Sequence, residues 1–79
     1  MKVNLVDMKA GQNGVISSLQ GGPGFVEKLG QMGLRPGKKI KKISSLFRQG
    51  PVALCIDNYQ IAVGYGKAVR IMVEVTDGA

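Results

Sequence analysis

The sequence has no histidine, no tryptophan, a single cysteine and only four aromatic rings among its 79 residues. Each absence removes a class of function. Without imidazole there is no histidine to act as base for a serine or cysteine nucleophile, and no nitrogen ligand for zinc. The acids Asp7, Glu27, Asp57, Glu74 and Asp77 lie scattered, with no pair at acid–base or metal-ligand spacing. One thiol and scattered carboxylates do not make a tight transition-metal site. No catalytic residue, metal ligand or cofactor site is expected, and enzymatic function is the class excluded first. Cys55 has no cysteine partner within the sequence and reads as a small buried hydrophobe in mid-strand. The rings are Phe25, Phe47, Tyr59 and Tyr65. Phe25 and Phe47 are needed inside, which leaves too few for the stacking platform of a nucleic-acid reader. No apolar run approaches the ~18 residues of a membrane span, and the opening residues carry no signal-peptide core. A cytoplasmic location is expected.

What is present is basic charge, glycine and short alternating runs. Eleven lysines and arginines against five acids give a net charge of +6, and 44% of residues are hydrophobic. That is the composition of one globular domain over residues 1–79. The twelve glycines favour tight turns and short strands over long helices.

The densest signal lies between Gly21 and Gly37. Gly22 serves as the N-cap of a short helix, with Pro23 at the first helical position, where its missing N–H has no intrahelical partner. Phe25, Val26, Leu29 and Met32 fall on one arc at 100° per residue, with Glu27, Lys28 and Gln31 outside it. Gly33 is placed as the left-handed residue past the helix end, and Leu34 as the hydrophobic cap that folds back. Pro36 keeps the helix from restarting. Gly33 to Lys39 superficially resembles a phosphate loop, but it is one residue short, contains proline and follows a helix rather than a strand.

Around this helix the chain reads as five strands. Val15 to Leu19 is the first. Lys38 to Phe47 fits either a bulged strand with Ile40 and Ile43 inward or a basic amphipathic helix; the strand is favoured. Val52 to Ile56 and Tyr59 to Val63 alternate cleanly around an Asp57-Asn58 hairpin turn. Lys67 to Arg70 suggests one helical turn, and Ile71 to Val75 is the last strand. Residues 1–12 read as a short extended piece and a turn. The fold class is mainly β: a small five-stranded barrel with one short α-helix between the first and second strands.

The run Leu29-Gly30-Gln31-Met32-Gly33-Leu34-Arg35-Pro36-Gly37, preceded by Gly22-Pro23-Gly24, resembles the signature of the FeoA family. The opening Leu5 to Gln12 and the stretch Asp57 to Val63 are also similar to that family's pattern. The chain departs from it at Val63-Gly64-Tyr65-Gly66. The resemblance implies an SH3-like barrel that accompanies FeoB, the membrane ferrous-iron transporter, as an accessory or regulator through protein–protein contact. On that reading Lys28, Leu34, Arg35 and Lys38 are the candidates for partner contact. Gly22, Pro23, Phe25, Leu29, Met32, Gly33, Pro36 and Gly37 are structural. Membrane contact is expected only through the transporter or by weak electrostatics. Two alternatives stand beside it: a free-standing regulatory domain that partners a metal-dependent repressor, and a basic module for membrane surfaces or nucleic acid built on residues 38–47.

Overall fold

The computed structural model describes residues 1–45 and 49–77, and those residues form six strands. They are β1 (Lys2–Asn4), β2 (Asn13–Leu19), β3 (Lys39–Ser45), β4 (Val52–Ile56), β5 (Tyr59–Val63) and β6 (Ile71–Val75). Helix α1 (Pro23–Gln31) joins β2 to β3, and α2 (Tyr65–Ala68) joins β5 to β6. The strands form one sheet in the order β1-β6-β2-β3-β4-β5, every neighbouring pair antiparallel. The mainly β reading holds. The sixth strand, β1, is the opening stretch expected only as an extended piece; three residues are too few to show alternation.

Lys39 to Ser45 is a strand and not a helix. Leu46, Phe47 and Arg48, which complete the predicted stretch and begin the next turn, lie outside the described residues, as do Gly78 and Ala79 of the tail. A helical turn does occur near the predicted Lys67–Arg70, two residues earlier, because Gly64 stays extended as its N-cap and Ala68 N–H bonds Gly64 O at 2.9 Å.

The sheet folds around one core that takes Leu5 and Met8 from the opening turn, Ile16, Leu29, Leu34, Ile40, Val52, Leu54, Ile56, Val63, Ala68, Ile71 and Val73. Two bulges let it curl. The register shifts between Ile16 and Ser18 on β2 and between Lys42 and Ser44 on β3. A bulge adds a residue and increases local twist. On β2 it also resets the phase: Ile16 is buried, and Leu19, three residues on, still packs against the core.

The opening turn is capped locally. Asn4 Oδ1 accepts from the Asp7 N–H at 3.1 Å while Asn4 Nδ2 donates to Asp7 Oδ2 at 3.0 Å. This turn (Leu5–Asp7, a single 3₁₀ turn) drops Leu5 into the core.

Candidate partner-docking site

The helix–corner motif is built as the residue pattern requires. Gly22 is the N-cap of α1 and Pro23 lies in its first turn. At the other end Met32 is the C-cap, Gly33 has φ +88°, and two bonds close the helix: Gly33 N–H to Gly30 O and Leu34 N–H to Leu29 O, both 3.0 Å. That pair is the Schellman arrangement, in which a left-handed glycine turns the chain and the next residue folds back. The residue that folds back is Leu34, and it is fully buried. Leu34 therefore leaves the set of contact candidates. It holds the corner from beneath, in the same cluster as Leu29.

Arg35-Pro36-Gly37-Lys38 is then a tight turn, with Lys38 N–H on Arg35 O at 3.1 Å and Gly37 at φ +93°. Proline second and a left-handed glycine third is the pattern of a type II turn. Gly37 N–H bonds Ile16 O at 2.8 Å, and Ile16 N–H bonds Lys38 O at 2.9 Å. The corner is thus pinned to β2 beside its bulge.

On this scaffold Arg35 is exposed, and its Nε donates to Gly30 O at 3.3 Å. The guanidinium sits where the helix carbonyls make the local potential negative, which favours a cation. Beside it lies an open groove of about 450 Å³ lined by Val26, Glu27, Gly30, Gln31, Arg35 and Pro36. Val26, placed on the inner arc by periodicity, instead faces this groove and is 37% exposed. Phe25 and Met32 pack against the core only in part, and Leu29 alone on α1 is fully buried. Phe25 also carries Arg70, whose guanidinium carbon is 5.4 Å from the ring centroid.

The other basic candidates separate. Lys28 is exposed on the last turn of α1 but does not line the groove. Lys38 Nζ bonds Asp57 Oδ2 at 2.6 Å, tying the corner to the β4–β5 turn. Lys39 and Lys41 are exposed on the outer face of β3. Lys42 is not on the surface at all. It is 3% exposed, and its Nζ donates to Val6 O at 2.7 Å and Met8 O at 2.5 Å. Burial lowers its pKa, partly opposed by the Asp7 carboxylate. Lys42 follows Ile40 at period two on β3, and that phase is the signal that places it inside. Cys55 is half-buried rather than buried: Val52, Leu54 and Ile56 take the inner positions of β4, so Cys55 faces outward opposite Lys41.

Tyr59 adds a bond that spacing alone does not reveal. Its hydroxyl donates to Met32 O at 3.1 Å, joining β5 to the C-terminal end of α1. Among the described residues no three acids or cysteines gather in a way that could hold a metal ion, and no helix is long and apolar enough to cross a membrane.

The curled six-stranded sheet with a capped helix between its second and third strands defines an SH3-like barrel domain. Solved structures carry the same architecture. A crystal structure of an iron uptake regulatory protein, FeoA, superposes with a TM-score of 0.89 at 34% identity, covering 96% of this chain and 100% of that one. The FeoA domain model matches residues 3–75, and the chain belongs to that family. Fe(2+) transport protein A of Methanocaldococcus jannaschii is 35% identical over 66 residues, 84% of this chain and 78% of the relative. A crystal structure of T. acidophilum IdeR matches 95% of this chain over 34% of its own length, with a TM-score of 0.84 and 26% identity. The family is one of ferrous-iron transport accessory proteins.

Proposed function

We propose that this protein is a one-domain cytoplasmic accessory of ferrous iron uptake that docks on the cytoplasmic region of a FeoB-type transporter. The observation that carries the reading is the groove between α1 and the Arg35-Pro36 corner. It sets an anchored guanidinium beside the apolar Val26 and Pro36, which suits a partner segment with a carboxylate next to an apolar side chain. Lys28 extends the basic surface along the helix. The protein needs no cofactor, contacts no nucleic acid, and meets the membrane through the transporter. Any direct lipid contact is electrostatic, at about 1 kcal/mol per basic residue near an anionic surface.

Amide shifts of the labelled protein, followed during titration with the transporter's soluble cytoplasmic region, test this. Changes confined to residues 26–36 are expected, and Arg35→Glu is expected to abolish them with the remaining spectrum intact. Unchanged spectra at high micromolar partner would sink the reading. A second reading, a free-standing domain that works with a metal-dependent repressor chain, draws on the likeness to IdeR. Co-purification of the tagged protein with transporter or with repressor separates the two.

A further inference from the structure

The two edges of the sheet are treated differently. β1 is three residues long, carries Lys2 and runs straight into the opening turn. Short, charged edges resist pairing with a further strand. β5 is five residues, Tyr59-Gln60-Ile61-Ala62-Val63, with no charge and no proline, and it pairs with β4 in unbroken register from Val52↔Val63 to Ile56↔Tyr59.

The turn fixes which of its backbone groups are free. Asp57 and Asn58 both have positive φ, +51° and +71°. A two-residue turn of that kind closes on a hydrogen-bonded pair, here Ile56–Tyr59. Bonded and non-bonded pairs alternate along an antiparallel ladder. So Tyr59, Ile61 and Val63 bond to β4, while the N–H and C=O of Gln60 and Ala62 point away from the sheet. Gln60 and Ala62 are both exposed, and no described backbone group outside the β4 ladder bonds to the strand.

We infer that the outer edge of β5 is a strand-addition site for an extended, acidic segment of a partner protein. Gln60 and Ala62 would supply four main-chain hydrogen bonds to the incoming strand. Charge selects the occupant. The protein carries +6. Of its five acids, Asp57 pairs with Lys38, Asp77 accepts bonds from Asn13, and Glu74 pairs with the terminal ammonium. A second copy would bring a +6 protein against a +6 protein, whereas an acidic strand is attracted by that net charge. No residue of β5 lines the Arg35 groove, and the proposal stands without the transporter reading.

The test uses the intact, labelled protein and a ten-residue peptide that alternates valine or threonine with glutamate; the same peptide with lysine for glutamate is the control. Expected are shifts along β5 and slowed amide exchange at Gln60 and Ala62 with the acidic peptide only. Ala62→Glu, which leaves every β4–β5 bond in place, is expected to weaken binding at least fivefold. Ala62→Pro removes an outward-facing donor and no β4–β5 bond, and is expected to abolish it. Circular dichroism of both variants confirms the fold. Protection of the same amides in the protein alone, rising with its concentration, would show a second copy on the edge and overturn the proposal. So would equal binding of the two peptides, or no change at millimolar acidic peptide.

Discussion

At the residue scale, Lys42 is a buried cation that joins two parts of the fold. Its aliphatic stem lies in the core and its ammonium ties the opening turn to β3 through Val6 O and Met8 O. Lys42→Met keeps the stem and removes the donor, leaving those two carbonyl groups without it. A loss of about 1–3 kcal/mol in urea denaturation is expected at neutral pH. The pH dependence has a defined sign. Burial holds the folded pKa below the ordinary lysine value of 10.5, so the unfolded chain binds more protons between those two pH values. Stability relative to Lys42→Met should therefore rise as pH climbs through the folded pKa and level off above 10.5. Asp77 works in the opposite range. The backbone N–H of Asn13 at 2.6 Å and its side-chain amide at 3.1 Å hold this carboxylate below its usual 3.8. Its contribution is present above pH 3.8 and is lost as pH falls through the depressed value. The stability difference between wild type and Asp77→Asn, read by denaturation across a pH series, should shrink as pH falls below 3.8 through the depressed value.

At the element scale, α1 is a nine-residue helix held by its ends and by Leu29. Isolated helices of this length are marginal in water, so packing and caps decide whether it forms. Its N-cap, Gly22, makes no side-chain cap bond, has φ −74° and ψ 173°, and has open space where a Cβ would be. Gly22→Ser should therefore stabilise the protein by about 0.5–1 kcal/mol, through a new cap bond and a less flexible unfolded chain; thermal melting checks it. Gly33 is the reverse case. A Cβ there would sit 2.9 Å from the Tyr59 hydroxyl, on a backbone with φ +88°. Gly33→Ala should cost about 1–3 kcal/mol and loosen the Tyr59–Met32 bond. Leu34→Ala should cost about 2–5 kcal/mol, the range for a buried leucine, which is more than a surface contact residue would lose.

At the scale of the whole molecule, the basic surface is divided by the fold rather than gathered by the sequence. Four lysines lie between Lys38 and Lys42, yet one pairs with Asp57, one is buried, and two face outward on β3. The surface proposed for a partner is defined by shape as much as charge: a capped helix end, a pinned corner and Arg35 beside an apolar groove. Binding of the transporter region through this surface should weaken with ionic strength, because Arg35 is exposed and screened by salt. Titrations at low and at physiological salt check that, and Arg35→Glu should remove both the binding and its salt dependence.

Local rules were enough for much of this protein. Proline after glycine placed the start of α1, glycine before Leu34 placed its end, and Asp57-Asn58 placed the hairpin, because each depends on backbone angles that few residue types adopt. The family signature is legible for the same reason, since it consists mostly of these caps and turns. Burial was not local. Leu34 read both as a folded-back cap and as a contact candidate, Val26 looked inward because it shares an arc with Leu29, and Lys42 looked like one of a basic run. Their depths were decided by which strand lies opposite, by two bulges that shift phase, and by carbonyls supplied from residues more than thirty positions away. A hydrophobic pattern states which side chains seek cover; only the assembled sheet determines which of them obtain it.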